Sequence, residues 1–145
     1  GASVDWCKIQ WPTSIPDVAN GIPAATAGKP SPIIYGWVYK SGSTNAAGQG
    51  PGITAEVGLG PVGTDPSKDP GWQWWPATYL GDKAGLGGPT DNDEYKGTVT
   101  PPKAGSYDYA YRFSGDGVHF WYCDLVGNDK NTPYNTTKAG KLTAQ

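Results

Sequence analysis

SYDYAYRFSGDGVHFWYCDLV, residues 106–126, is the stretch that decides the fold. Tyr107, Tyr109, Tyr111 and Phe113 alternate with Asp108, Ala110 and Arg112, the two-residue period of a strand with one apolar face. Gly115-Asp116-Gly117 supplies the positive-φ positions of a hairpin turn, and His119 to Val126 returns as the partner strand. A hairpin with one apolar face is stable only when a second layer covers it.

The same signals recur on either side. Val4 to Trp11, Ile33 to Lys40, Ile53 to Leu59, Trp72 to Leu80, Glu94 to Thr100 and Gly140 to Ala144 read as further strands. Between them lie loops at Gly60 to Gly71, Gly81 to Asp93 and Gly127 to Lys138. The chain of 145 residues carries 22 glycines and 14 prolines, about twice the usual share of roughly 12%. That content argues against long helices, while seven Trp, nine Tyr and two Phe argue against disorder. The expectation is a single domain over residues 1–145: an immunoglobulin- or fibronectin-like antiparallel β-sandwich of about eight strands, with a jelly roll as the runner-up.

Charge narrows the partners. Eleven Lys and Arg stand against 13 Asp and Glu, without a basic run, so the footprint for phosphate-backbone binding is missing. No apolar window approaches the roughly 18 residues of a membrane span. Gly1-Ala2-Ser3 does not open a signal peptide, which is expected to have been removed or to lie outside the chain. Cys7 and Cys123 are not spaced for zinc or for a redox pair and read as a disulfide, the alternative being two buried thiols. A bridge implies an oxidising, extracellular setting. Asn135-Thr136-Thr137 would serve as a glycosylation sequon only in a eukaryotic secretory host.

Catalytic constellations are sparse. His119 is the single histidine, and it follows a hairpin turn, where it reads as an exposed polar residue rather than as part of a triad. Glu56 and Glu94 are the only glutamates, too few for an evident glycosidase pair. The chain is therefore expected not to be an enzyme. Asp91, Asp93 and Glu94 gather hard oxygen donors and are the candidate ligands of a structural calcium, with Asp124, Asn128 and Asp129 as a second cluster. The competing reading is turn chemistry. The lone arginine, Arg112, is expected to pair with Asp108 or Asp124.

Tryptophan is the informative surplus. Trp72, Trp74 and Trp75 follow a long loop, with Trp72 and Trp74 on one face and Trp75 on the other. Exposed indoles stack on the apolar faces of sugar rings while flanking polar groups bond the hydroxyls, so these three are the candidate ligand-binding residues. Trp6, Trp37 and Trp121 read as core.

As a group, Trp6-Cys7, GLGPVGTDP (58–66), Asn92 to Tyr95 and the hairpin at Tyr107 to Leu125 resemble an Ig-like accessory module repeated in secreted multidomain proteins of myxobacteria and related bacteria. The hairpin is also loosely similar to that of starch-binding sandwich modules. The resemblance implies an accessory module on secreted or cell-surface proteins. The leading functional expectation is an extracellular, non-catalytic carbohydrate-binding module whose partner is a polysaccharide. The alternative is a structural or adhesive module that contacts neighbouring domains or self-associates by donating Gly1 to Trp11.

Overall fold

The computed structural model describes residues 3–145. Ten strands form: β1 (Trp6–Trp11), β2 (Ser14–Ile15), β3 (Ile34–Tyr39), β4 (Thr54–Gly60), β5 (Gln73–Pro76), β6 (Thr78–Lys83), β7 (Asn92–Gly97), β8 (Gly105–Ser114), β9 (Trp121–Cys123) and β10 (Gly140–Ala144). The helical content of the described residues is two short 3-10 turns, Val18–Asn20 and Thr136–Lys138. The first sheet has the order β1-β3-β7-β6, and the second β2-β10-β8-β4-β5 with β9 also on β8. All named pairs are antiparallel except β2 with β10. Leaving out the short β2 and β9, the remaining strands follow the immunoglobulin order, ABED packed on C′CFG.

Alternation builds the core. Tyr109, Tyr111 and Phe113 of β8 point inward as expected, against Ile9, Ile34, Val38 and Tyr95 of the first sheet. Tyr95 meets Phe113 edge to face at 5.7 Å. Tyr111 lies over Gly36, where a Cβ would come within 2.7 Å of its ring, so glycine there sets how closely the sheets approach. The buried hydroxyls of Tyr109 and Tyr111 donate to the carbonyls of Pro12 and Ile34, which removes the cost of burying them unpaired.

Cys7 and Cys123 are bridged, with Cα atoms 5.6 Å apart. The bridge ties β1 in one sheet to β9 in the other across 116 residues of sequence and contributes about 4–5 kcal/mol in the chain-entropy model. It also holds β1 in its own domain, where Cys7 pairs with Asn128 through the backbone. Of the segment expected to be donated, Gly1 and Ala2 lie outside the described residues.

Three boundaries differ from expectation. The aromatic run from Trp72 to Leu80 is two strands in different sheets: β5 ends at Pro76, Ala77 donates its N–H to Ala55, and β6 joins the first sheet. β6 and β7 take both ends of the Gly81 to Asp93 loop into regular structure. β9 is short because Asp124 turns the chain, its Oδ1 accepting from the N–H groups of Val126 and Gly127.

Candidate functional site

Trp72, Trp74 and Trp75 are separated by strand alternation. Trp75 lies opposite Val57 in register and packs against the core. Trp72 and Trp74 face outward over β4, laid flat on Gly60 and Gly58, where a Cβ would come within 2.3 and 2.5 Å of the respective rings. Their ring planes are 22° apart with centroids at 5.7 Å. Trp72 is only 7% exposed, and its indole N–H donates to Thr64 Oγ1 at 2.9 Å. Trp74 stays half-buried, with the Arg112 guanidinium 4.3 Å from its centroid and Tyr122 against it at 5.7 Å. The same guanidinium lies 4.0 Å from the Phe120 ring.

Arg112 bonds Glu56 in two places, at 2.7 and 2.6 Å, and this replaces the expected partners Asp108 and Asp124. Glu56 stands directly opposite Arg112 on β4. Asp108 accepts instead from Lys141 Nζ and the N–H of Gly63, while Asp124 is turned into its own loop.

The acidic cluster is likewise divided. Asp91 accepts the N–H of Gly87. Asp93 points inward, fully buried, and its Oδ2 accepts the N–H of Gly50 while Oδ1 has no partner. Burial, followed by the neighbouring Asp82, pushes the Asp93 carboxyl up to about 6, with the Gly50 N–H opposing. Glu94 points outward, accepting the Trp37 indole N–H at 2.8 Å with Lys83 Nζ 3.6 Å away. Among the described residues, no three His, Cys, Asp or Glu side chains gather closely enough to hold a metal ion. Asp124 and Asn128 bond each other and nearby backbone, as turn chemistry requires.

Catalytic geometry does not assemble from the residues considered. Glu56 and Glu94 sit on the outer faces of opposite sheets. His119 is exposed and bonded to Asp116, whose carboxyl is held well below its usual range by His119 and by backbone N–H groups. Ser114 Oγ donates to Asp116 and not to His119.

Sequence reasoning missed the outer face of the first sheet. Cys7 and Ile9 face inward on β1, as do Ile34, Gly36 and Val38 on β3. Trp6 and Lys8, together with Tyr35, Trp37 and Tyr39, therefore face outward, and a bulge between Ile9 and Trp11 sets Trp11, which shares the parity of Cys7 and Ile9, opposite Tyr35 on the same face; all six are half-buried. Trp6 and Trp37 are thus not core residues, whereas Trp121 does pack against the core. Register aligns them in three rows: Trp6 with Tyr39, Lys8 with Trp37 and Glu94, and Trp11 with Tyr35 and Lys96. Trp11 and Tyr35 are 6.4 Å apart between centroids. From Tyr35 to Tyr39 the face extends about 14 Å at the usual strand rise. Lys8 was the available signal, because a lysine sharing Trp6's parity marks that side of β1 as the wet one. At the Trp6–Tyr39 end the face opens into a cavity of about 670 Å³ bounded by the 84–92 segment and Asp129.

No family model matches the chain. An amylopullulanase of Thermoanaerobacterium thermosulfurigenes is 34% identical over 110 residues, a span covering 64% of this chain and 5% of that protein. An amylopullulanase of Thermoanaerobacter thermohydrosulfuricus is 28% identical over 120 residues, covering 70% of this chain and 8% of that protein. The chain spans less than a tenth of the length of these curated relatives.

Proposed function

We propose that this domain is a non-catalytic, extracellular α-glucan-binding accessory module whose ligand lies across the outer face of the first sheet. The observation that carries the reading is the set of five half-exposed aromatic rings in register with Lys8, Glu94 and Lys96. Trp and Tyr offer flat apolar bodies with polar edges. In this arrangement the rings stack on sugar faces while Lys8 and Lys96 reach hydroxyls, and the buried Glu94 serves to hold Trp37. The Glu94 bond to Trp37 fixes one indole before ligand arrives, which lowers the ordering cost of binding.

Amylose and pullulan, for which the relatives are named, supply the substrate class. The small share of those proteins that the chain matches supports an accessory role. The disulfide supports an oxidising compartment. Trp74, the outward and half-exposed member of the Trp72–Trp75 run, is already engaged by Gly58, Arg112 and Tyr122 and takes the lesser part.

Pull-down on insoluble amylose and affinity electrophoresis in pullulan test the reading with wild type, Trp37→Ala and Trp74→Ala. Wild type is retained, Trp37→Ala weakens at least about tenfold, a loss of about 1.4 kcal/mol, and Trp74→Ala stays close to wild type. Retention lost in Trp74→Ala alone would move the ligand to the second sheet. Failure of wild type to bind any glucan would remove the glycan reading and leave the adhesive one.

A further inference from the structure

The aromatic face ends in the cavity of about 670 Å³, within the size range of small-molecule sites. Trp6 and Tyr39 belong both to the last row of the face and to the cavity lining, so the two surfaces are continuous. The charged residues lining the cavity are Asp5, Asp91 and Asp129, with no Lys, Arg or His among the lining residues. Each aspartate has one oxygen anchored by a backbone N–H: Asp5 by Ser41 at 2.7 Å, Asp91 by Gly87 at 2.5 Å and Asp129 by Asn131 at 2.8 Å. Anchoring orients the carboxylates and leaves the second oxygen of each to accept another bond. Leu86, fully exposed, adds an apolar contact to the lining.

We propose that this cavity is an end subsite which takes the neutral, hydroxyl-rich terminal unit of a glucan and rejects an anionic terminus. The inference rests on the glucan reading of the adjoining face and adds to it a selectivity that the face does not have. A sugar hydroxyl donates a hydrogen bond to a carboxylate, and the ring's C–H face packs on Trp6 or Tyr39. A uronate, sulfate or phosphate terminus brings acceptors and like charge up to three carboxylates, and loses on both counts. Face and cavity are electrostatically unlike, since the face carries Lys8 and Lys96 beside the buried Glu94 and the charged residues of the cavity lining are all aspartates.

Calorimetric titration compares a neutral malto-oligosaccharide with two charged versions, one ending in an aldonate at the reducing end and one in a glucuronate at the other. At least one charged version binds wild type about tenfold more weakly than the neutral sugar. In the double variant Asp5→Asn/Asp129→Asn, which keeps the anchored oxygens and removes two charges, that gap closes to about threefold or less. Asp65→Asn/Asp69→Asn, an equal change of net charge on the second sheet's loop, leaves the gap intact.

Equal binding of all three sugars by wild type, or a gap unchanged in Asp5→Asn/Asp129→Asn, overturns the end subsite while the glucan face stands. Tighter binding of a cationic glucosamine oligomer than of the neutral sugar also overturns it, by making the cavity an amine site. Absence of binding by every sugar removes the face and the subsite together.

Discussion

Both outer faces of the sandwich carry tryptophan, yet the two sets are held differently. On the second sheet Trp72 and Trp74 lie flat on Gly60 and Gly58, closed in by Thr64, Arg112 and Tyr122. On the first sheet Trp6, Trp11 and Trp37 stand among lysines and tyrosines, all three half-exposed, as Trp74 but not Trp72 is on the second sheet's outer face. Glycine in the neighbouring strand lets an indole lie on the second sheet, because it removes the side chain that would hold the ring off; Trp72 becomes buried and Trp74 half-buried, whereas on the first sheet the glycine contact is that of Trp6 with Gly127 in a loop. An aromatic count therefore does not locate a binding face until the neighbouring strand is known.

The largest break between the two faces is expected from Trp72→Ala. Deleting a buried indole costs about 3–5 kcal/mol, read as a lower urea midpoint with unchanged slope. Glucan affinity, measured well below the midpoint, stays near wild type. A large affinity loss in this variant would make the second sheet part of the site.

Asp93→Asn is next, and its sign is opposite. The folded carboxyl titrates near 6, above its ordinary 3.8, with Asp82, Tyr79 and Tyr95 as its ionisable neighbours. Between about pH 4 and 6 the unfolded chain is ionised while the folded one keeps its proton, so stability falls as pH rises and the penalty is complete by pH 7. Asn retains an acceptor for the Gly50 N–H and removes the charge. The variant gains about 2–3 kcal/mol over wild type at pH 7 and almost nothing at pH 4. Equal effects at both values would exclude the buried charge as the cause.

The comparison also explains what could be read from residue order. The Tyr107–Phe113 alternation, the hairpin and the disulfide pairing were legible, because each is set by local periodicity or by a count of two cysteines. That Trp75 turns away from Trp72 and Trp74 was legible for the same reason. The chain's change of sheet at Ala77 was not, since no residue there breaks the aromatic run except Pro76, which is also tolerated within an edge strand. The burial of Trp72 depends on Gly60 lying under it, a contact between residues of different strands. The acidic cluster at Asp91–Glu94 reads as one site in order and becomes three environments once alternation sends Asp93 inward and Glu94 outward.

Gly58→Ala tests the glycine argument directly. Its Cβ would come within 2.5 Å of the Trp74 ring, so the indole must lift away from β4. Overpacking of this kind costs about 1–3 kcal/mol. Lifting the ring also opens Trp74 to solvent, visible as a red shift of tryptophan fluorescence that is absent in Gly58→Ala/Trp74→Ala. Neutral stability without a spectral shift would show that the glycine does not seat the ring.

Trp37→Ala has the smallest effect on stability and completes the contrast. Trp37 stands on a half-exposed face, and its indole N–H bonds Glu94, which Lys83 continues to neighbour after truncation. The loss in unfolding free energy is expected to be about 1 kcal/mol or less, the scale of substitutions away from a packed core. Set beside Trp72→Ala, the two variants separate folding from binding: one lowers the urea midpoint and keeps the glucan, the other keeps the midpoint and loses the glucan. If Trp37→Ala proved as destabilising as Trp72→Ala, the first sheet's aromatics would be structural as well, and the difference between the faces would lie in exposure alone.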